Sequence, residues 1–136
     1  MKLISACLAG INCRYDGKNA LNERVLELFA SETLIPVCPE QLGGLGTPRE
    51  PMQVTDGGGS DVFEGGAKVM TDAGDDVTES LIRGAKETLK IAKLFGVREA
   101  IMKADSPSCG CGKVSDGVTT ALLKRNGIWV ITEEEL

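Results

Sequence analysis

The sequence contains no histidine among its 136 residues, and this absence removes several kinds of chemistry. Without an imidazole the chain forms no Cys-His or Ser-His-Asp catalytic site, and no histidine can ligate a metal or shuttle protons. Acid–base catalysis must then rest on Asp, Glu, Lys, Tyr or Cys side chains. Any bound metal must be held by thiolates or carboxylates.

A long apolar run and a block of positive charge are also missing. No apolar run approaches the ~20 residues that span a bilayer, and the apolar part of the first ten residues, MKLISACLAG, is too short for a secretory signal. The net charge is −5, and an acidic chain repels phosphate backbones. We therefore expect a cytoplasmic protein that binds neither membranes nor nucleic acid and keeps its cysteines reduced.

The order of the predicted elements indicates an α/β fold. Short apolar runs predict strands at 2–6, 34–37, 67–70, 100–102 and 128–131. Longer patterns of helical period predict helices at 21–30, 78–95 and 117–125. Alternating strands and helices form a mostly parallel sheet with right-handed crossovers. We predict one domain over 1–136, a three-layer, Rossmann-like or flavodoxin-like sandwich around that sheet.

Local signals refine this prediction. Asn19 or Asn22 is expected to cap the first helix and Thr78 the second, which ends at Gly96. Pro36 places the second strand at a sheet edge or makes it the start of a strand. The glycine-rich residues 39–66 predict a long irregular loop, which is uncommon in a compact domain unless it is functional or disordered. Within it, residues 62–63 are expected to form a hairpin with the strand at 67–70.

Three of the five cysteines, Cys7, Cys38 and Cys109, stand at or just beyond the ends of predicted strands. Ligands bind beyond the carboxyl ends of the strands in parallel sheets, so we expect these thiols to lie at one edge. Three thiolates could hold zinc or an iron–sulfur cluster. No CxxC pair is present, however, and buried cysteines also serve as small apolar residues, so placement alone leaves both interpretations open.

Four segments carry a resemblance to a known family. They are SACLAGINCRYDG (5–17), VCPEQLGGLGTPREP (37–51), DVTESLIRGA (76–85) and KADSPSCG (103–110). Together they span nearly the whole chain, which resembles a bacterial family that includes the thiouracil desulfidases. The resemblance implies a [4Fe-4S] cluster held by three cysteines, Cys7, Cys38 and Cys109, with the fourth iron open. It also implies replacement of sulfur by oxygen on a thiolated pyrimidine or related small thioamide, without net redox change.

Three further residues are candidates for catalysis. Glu40 follows Cys38 by two residues and could position or deprotonate the attacking water, although it could also be a solvated loop glutamate or a charge at a helix N-terminus. Ser106 and Ser108 could donate hydrogen bonds to the substrate ring or to a cluster sulfide. Alternatively, these serines form turns and caps around Pro107.

Arg14 and Arg49 are candidates for cofactor binding. Arg49 stands between two prolines in TPREP, and such rigidity suits a charge that must be placed accurately. It could neutralise the negative charge of the cluster or contact the substrate. The alternative is a structural salt bridge with Glu50 or an aspartate.

The chain departs from the family pattern near its third cysteine. Cys111 is not expected there, and CGKVS (111–115) replaces a longer glycine-rich segment, which predicts a more open pocket or a different substrate. Cys111 and Cys13 could each be a spare thiol, a sulfur acceptor, an alternative ligand or an ordinary free cysteine.

Two other functions remain open at this point. Cys38, Cys109 and Cys111 could hold zinc in a structural or regulatory module without catalysis. A metal-free protein could instead bind a small anion in the glycine-rich loop, although no GxGxxG or GxxxxGK[ST] motif is present. The sequence determines neither the oligomeric state nor the natural substrate.

Overall fold

A computed structural model of the protein describes residues 1–112 and 115–136. The strands are β1 (Lys2–Ser5), β2 (Leu34–Val37), β3 (Met52–Thr55), β4 (Lys68–Thr71), β5 (Glu99–Met102) and β6 (Trp129–Thr132). The helices are α1 (Glu23–Leu28), α2 (Pro39–Leu42), α3 (Gly59–Phe63), α4 (Thr78–Phe95) and α5 (Val118–Arg125). Two 3-10 turns cover Ala6–Ala9 and Glu133–Glu135.

The central sheet has four strands in the order β2-β1-β5-β6, and every neighbouring pair is parallel. This confirms the predicted α/β class. Pro36 lies in β2, which is an edge strand, so its missing N–H costs no ladder hydrogen bond on the open side. Leu3 and Ile4 are fully buried in the second strand of the sheet, as a strand covered on both faces requires.

Helices cover both faces of the sheet, because successive strand residues point to opposite sides. On one face, Leu3 and Met102 pack with Ala92 of α4 and Leu123 of α5. On the other face, Ile4 packs with residues that precede and form α1. The predicted three layers are therefore confirmed. Among the described residues, no helix is long and apolar enough to cross a membrane.

The prediction of an irregular loop over residues 39–66 is wrong. This stretch contains α2, β3 and α3, and β3 pairs antiparallel with β4. The hairpin partner of β4 is therefore β3, and residues 62–63 belong to α3 instead. These elements are four or five residues long, too short for a hydrophobic period to be read among the surrounding glycines.

Helix ends agree in part with the sequence prediction. The Asn22 side chain accepts hydrogen bonds from the N–H groups of Arg24 and Val25, so it caps α1, which is shorter than predicted. Gly96 ends α4 in a left-handed conformation with φ of 65°, as expected. Thr78 is the first residue of α4 rather than its cap, and its Oγ1 accepts from the N–H of Val69 on β4. Asp76 accepts from the N–H of Thr78 instead.

The connections of β1 and β5 create the crevice where a ligand is expected. From β1 the chain moves outward to β2, and from β5 it moves outward in the opposite direction to β6. The two central strands therefore flank a topological switch point, and ligands of open α/β sheets bind there, beyond the carboxyl ends of the strands.

Candidate active site

A cavity of about 270 Å³ opens at this edge of the sheet. Its lining comes from the segments that follow β1, β2 and β5, together with the segment around Arg49. Four cysteines contribute to the wall: Cys7, Cys13, Cys38 and Cys109. The three cysteines predicted from strand ends are thus brought together at one cavity, and a fourth thiol joins them.

Each of the predicted ligand residues is delivered by a different element. Cys7 lies in the 3-10 turn directly after β1, and Cys38 is the N-cap residue of α2, directly after β2. Cys109 follows β5 and is buried, and its amide N–H donates to the Oγ of Ser106 at 3.1 Å. Because the three strands are parallel, their carboxyl ends meet at the same edge, and the thiols meet with them.

Burial and mutual contact disfavour the ionised form of these thiols. Burial raises the pKa of Cys109 to about 12, although a hydrogen bond with Ser5 opposes the shift. The hydrogen bond with Cys13 raises the pKa of Cys38, and burial raises it further. In the metal-free chain these two thiols therefore carry protons at neutral pH, and the binding of a thiophilic metal group must release them.

Glu40 lies in the first turn of α2 and lines the same cavity. Both of its carboxylate oxygens are fixed. Oε1 accepts from Nε of Arg49 at 2.8 Å, and Oε2 accepts from Oγ of Ser108 at 2.7 Å. With 9% of its surface exposed, Glu40 is neither solvated nor free to rotate. The solvated-loop alternative is therefore wrong, and Glu40 is a buried charge in the first turn of a helix.

Arg49 ties three segments of the site together. Besides its ion pair with Glu40, its Nη2 donates to the carbonyl of Cys13 at 2.8 Å, and its Nη1 donates to Gly46 and Thr47. The ion-pair partner is therefore Glu40, not Glu50, which is exposed. The planar guanidinium donates from three nitrogens in a fixed fork, whereas a lysine donates from a single nitrogen.

The other predicted residues have different surroundings. Arg14 lines the cavity, with its guanidinium carbon 5.8 Å from the centre of the Tyr15 ring. Ser106 also lines the cavity, and its Oγ accepts from the N–H groups of Ser108 and Cys109, which matches the turn alternative. Ser108 is 0% exposed and lies behind the cavity wall, where its hydroxyl contacts Glu40. It is therefore placed to act on Glu40 rather than on the substrate ring.

Sequence reasoning missed the role of Ser5 and the position of Cys13. Ser5 is the last residue of β1, and its buried Oγ accepts from the N–H of Lys103 at 2.8 Å beside Cys109. Cys13 is 2% exposed and interacts with the thiols of both Cys7 and Cys38. The only available signal was that both residues belong to the segment SACLAGINCRYDG, because their distance from the other cysteines depends on how that segment folds back.

Cys111 lies apart from this cavity. Its Sγ donates to the carbonyl of Val130 at 3.5 Å, and its side chain packs against the core between the sheet and helices α4 and α5. The structure thus does not bring Cys111 to the cavity of Cys38 and Cys109, as the zinc alternative requires. Two residues of the shortened segment 111–115, Lys113 and Val114, lie outside the described residues.

The donor set of the cavity consists of thiols. Cys7, Cys13, Cys38 and Cys109 all line it, and Cys13 interacts with both Cys7 and Cys38. In the part of the chain that the structure describes, no three Cys, His, Asp or Glu side chains form a preformed site for a metal ion. Thiolates are the ligand type that iron–sulfur clusters take.

Comparisons with known proteins agree with this geometry. An uncharacterized protein of Bacillus subtilis (strain 168), YbbK, is 44% identical over 147 residues, covering 100% of this chain and 97% of YbbK. The solved structure of the [4Fe-4S]-dependent thiouracil desulfidase TudS matches with a TM-score of 0.85 and 36% identity, covering 99% of this chain and 91% of that one. The model of the 2-thiouracil desulfurase family matches residues 3–135. The chain belongs to the 2-thiouracil desulfurase family.

Proposed function

We propose that this chain is a [4Fe-4S]-dependent desulfidase that replaces the sulfur of a thiolated pyrimidine or related small thioamide with oxygen. The observation that carries the proposal is the convergence of Cys7, Cys38 and Cys109 on one cavity that Glu40 also lines. The net reaction converts C=S and water to C=O and hydrogen sulfide, so it needs no external oxidant or reductant.

The three cysteines hold the cluster, one from the end of each of three strands. When bound, the cluster supplies a Lewis-acidic iron without a protein ligand, and such an iron has high affinity for soft sulfur. Arg14 brings a positive charge to the cavity wall, which offsets the negative charge of three thiolates. Its guanidinium and the Tyr15 ring lie together in the lining, where a planar substrate would enter.

Glu40 acts on the attacking water. Its oxygens each accept one hydrogen bond from the protein, and a carboxylate has about four lone-pair positions, so acceptor capacity remains for water. Arg49 and Ser108 hold the carboxylate in one orientation, which is the requirement for a general base. Ser106 keeps the backbone before Cys109 in its turn.

The proposal is tested by anaerobic reconstitution with iron and sulfide, followed by assay against thiolated bases. We expect stoichiometric iron and acid-labile sulfide, a brown protein that absorbs near about 400 nm, and conversion of 2-thiouracil to uracil. A colourless protein after reconstitution would contradict the cluster. Stoichiometric zinc without sulfide would favour the structural zinc module instead.

The role of Glu40 has a separate test. Glu40→Gln should retain the cluster, because Glu40 is not a ligand, while turnover falls by about 100-fold or more. Glu50→Gln is the matched control, since Glu50 is exposed in the segment between α2 and β3. Normal turnover by Glu40→Gln would remove this residue from the mechanism.

A further inference from the structure

The cavity contains one thiol more than the proposed ligand set uses. Cys13 lies in the lining with Cys7, Cys38 and Cys109, and only 2% of its surface is exposed. It does not bond to iron in the proposed arrangement, and it is not in a remote part of the core. A buried thiol among metal-binding thiols can itself bind the metal, so its position relative to each neighbour matters.

Cys13 contacts Cys38 through both its backbone and its thiol. The Sγ of Cys38 donates to the backbone carbonyl of Cys13 at 3.7 Å, and the two thiols also interact with each other. Cys13 contacts Cys7 on its other side. The thiol of Cys109 forms its hydrogen bonds with Ser5 and Ser106, and its electrostatic neighbours are Glu40 and Cys38. Cys13 therefore belongs to the side of the cavity that Cys7 and Cys38 form.

This adjacency has a consequence for metal binding. Two thiolates on one tetrahedral metal, with metal–sulfur bonds of about 2.3 Å, lie roughly 3.8 Å apart. Thiols that bind different irons of a cluster must stand further apart, across the cluster. A thiol in contact with Cys38 can therefore reach the iron that Cys38 binds.

The local backbone supports this position. The carbonyl of Cys13 accepts from Nη2 of Arg49 at 2.8 Å, and its N–H donates to the carbonyl of Ile11 at 2.9 Å. Arg49 is in turn fixed by Glu40. The loop that carries Cys13 is thus held against the segment that carries Cys38.

We propose that Cys13 is a reserve ligand, able to bind the iron of the cluster that Cys38 holds when Cys38 is absent or chemically blocked. The inference rests on the proposed function, because it assumes that a cluster occupies the cavity. It gives this chain a means of retaining its cofactor after losing one ligand. Proteins with three strictly required cysteines would lose the cluster at that point.

The test measures iron and acid-labile sulfide per chain after anaerobic reconstitution of the wild type, Cys38→Ala, Cys13→Ala/Cys38→Ala and Cys38→Ala/Cys111→Ala. Cys38→Ala should retain most of the cluster. Removing Cys13 as well should lower the content by about 10-fold or more. Cys38→Ala/Cys111→Ala is the control for the loss of a second thiol. Its iron and sulfide content should equal that of Cys38→Ala.

The outcomes separate the inference from the proposed function. If the wild type takes up no iron and sulfide, both fail. If the wild type loads but Cys38→Ala is as empty as the double variant, only the reserve role of Cys13 is overturned.

A second measurement covers the case in which Cys38→Ala does not fold. The loaded Cys13→Ala protein should lose iron to a chelator several-fold faster than the wild type or Cys111→Ala. Equal rates for all three proteins would overturn the proposal.

Discussion

At the residue scale, the site depends on a chain of contacts that begins at Arg49 and ends at Ser108. Arg49 binds Glu40, and Ser108 binds the other oxygen of the same carboxylate. Neither Arg49 nor Ser108 needs to touch the substrate to affect the reaction. Both set where the carboxylate points in its nearly buried position.

Arg49→Lys should show whether turnover depends on the positive charge of residue 49 or on the geometry of its hydrogen bonds. Lysine retains the positive charge but donates from one nitrogen, so it does not reproduce the fork that joins Glu40, the Cys13 carbonyl and the 46–47 segment. We expect turnover to fall roughly 10- to 100-fold with cluster content unchanged, measured by steady-state assay and iron analysis. Arg98→Lys, on the exposed surface, is the control. Unchanged turnover would show that Glu40 does not need this positioning.

Ser108→Ala should remove the hydrogen bond to the other oxygen of the Glu40 carboxylate. The substitution leaves Oε2 of Glu40 without its buried donor, which costs about 1–3 kcal/mol in the free energy of unfolding. Denaturant unfolding of the metal-free protein measures this cost. Ser31→Ala, whose hydroxyl lies at an exposed helix end, should change stability by about 0.5 kcal/mol at most. Equal effects of the two variants would contradict the assigned contact.

At the scale of elements, α2 is placed by close contact with α4. A Cβ at Gly84 would lie 1.9 Å from the carbonyl oxygen of Pro39, and one at Gly43 would lie 2.0 Å from that of Ser80. The two helices approach this closely only because both positions lack side chains. Since Cys38 is the N-cap residue of α2 and Glu40 lies within it, the packing of these glycines positions a proposed ligand and a proposed catalytic group together.

Gly84→Ala therefore tests whether the steric clash of the added methyl group outweighs the higher helix propensity of alanine. On propensity alone, alanine within α4 would stabilise the helix by about 1 kcal/mol. Because the added methyl collides with backbone, we expect a net destabilisation of about 1–3 kcal/mol and reduced cluster content. Gly46→Ala is the control, since nothing lies within 4 Å of its Cβ position and its φ is not positive. Stabilisation by Gly84→Ala would contradict the close crossing.

The contact between Asp76 and Thr78 at the start of α4 predicts a pH effect. Hydrogen bonds from the side chain and then the backbone of Thr78 lower the pKa of Asp76 from its ordinary 3.8, with a smaller contribution from Lys68. A lowered pKa means that the stabilisation is present above 3.8 and is lost as the pH falls through the folded value. The Tm advantage of the wild type over Asp76→Asn should thus shrink at acid pH. Asp72→Asn is the exposed control. A Tm difference between the wild type and Asp76→Asn that does not change with pH would contradict the proposed effect of Asp76.

At the scale of the whole molecule, cluster binding should stabilise the fold, because its ligands come from three separate strands. A group that binds the native chain and not the unfolded one adds stability by mass action. We expect loading to raise Tm by at least about 4 °C, the shift that roughly 1 kcal/mol gives in a chain of this size. Scanning calorimetry under anaerobic conditions measures it.

Two cysteine variants show whether this stabilisation passes through the proposed ligands. Cys109→Ala should abolish the rise in Tm, because one of the three strands is then disconnected from the cluster. Cys111→Ala should retain the rise, since its thiol contacts the carbonyl of Val130 outside the cavity. The reverse pattern would favour a ligand set that includes Cys111.

Much of this architecture was predictable from local patterns. The apolar runs predicted the four strands of the parallel sheet, because strands buried on both faces have continuous apolar sequences. The period of α4 and its end at Gly96 were also predictable. The elements between 39 and 63 were not, because helices and strands of four or five residues are decided by the surface they pack on.

The sequence by itself determined the chemistry that is available: thiolates and carboxylates without histidine, with cysteines at the ends of parallel strands. Only the tertiary structure decided which of them meet. It joined Arg49 to Glu40 rather than to its neighbour Glu50, turned Ser108 toward Glu40, brought Cys13 beside Cys38 and left Cys111 behind. The physical reason is that strand ends are fixed by local patterns, whereas side-chain contacts across loops depend on the packing of the whole chain.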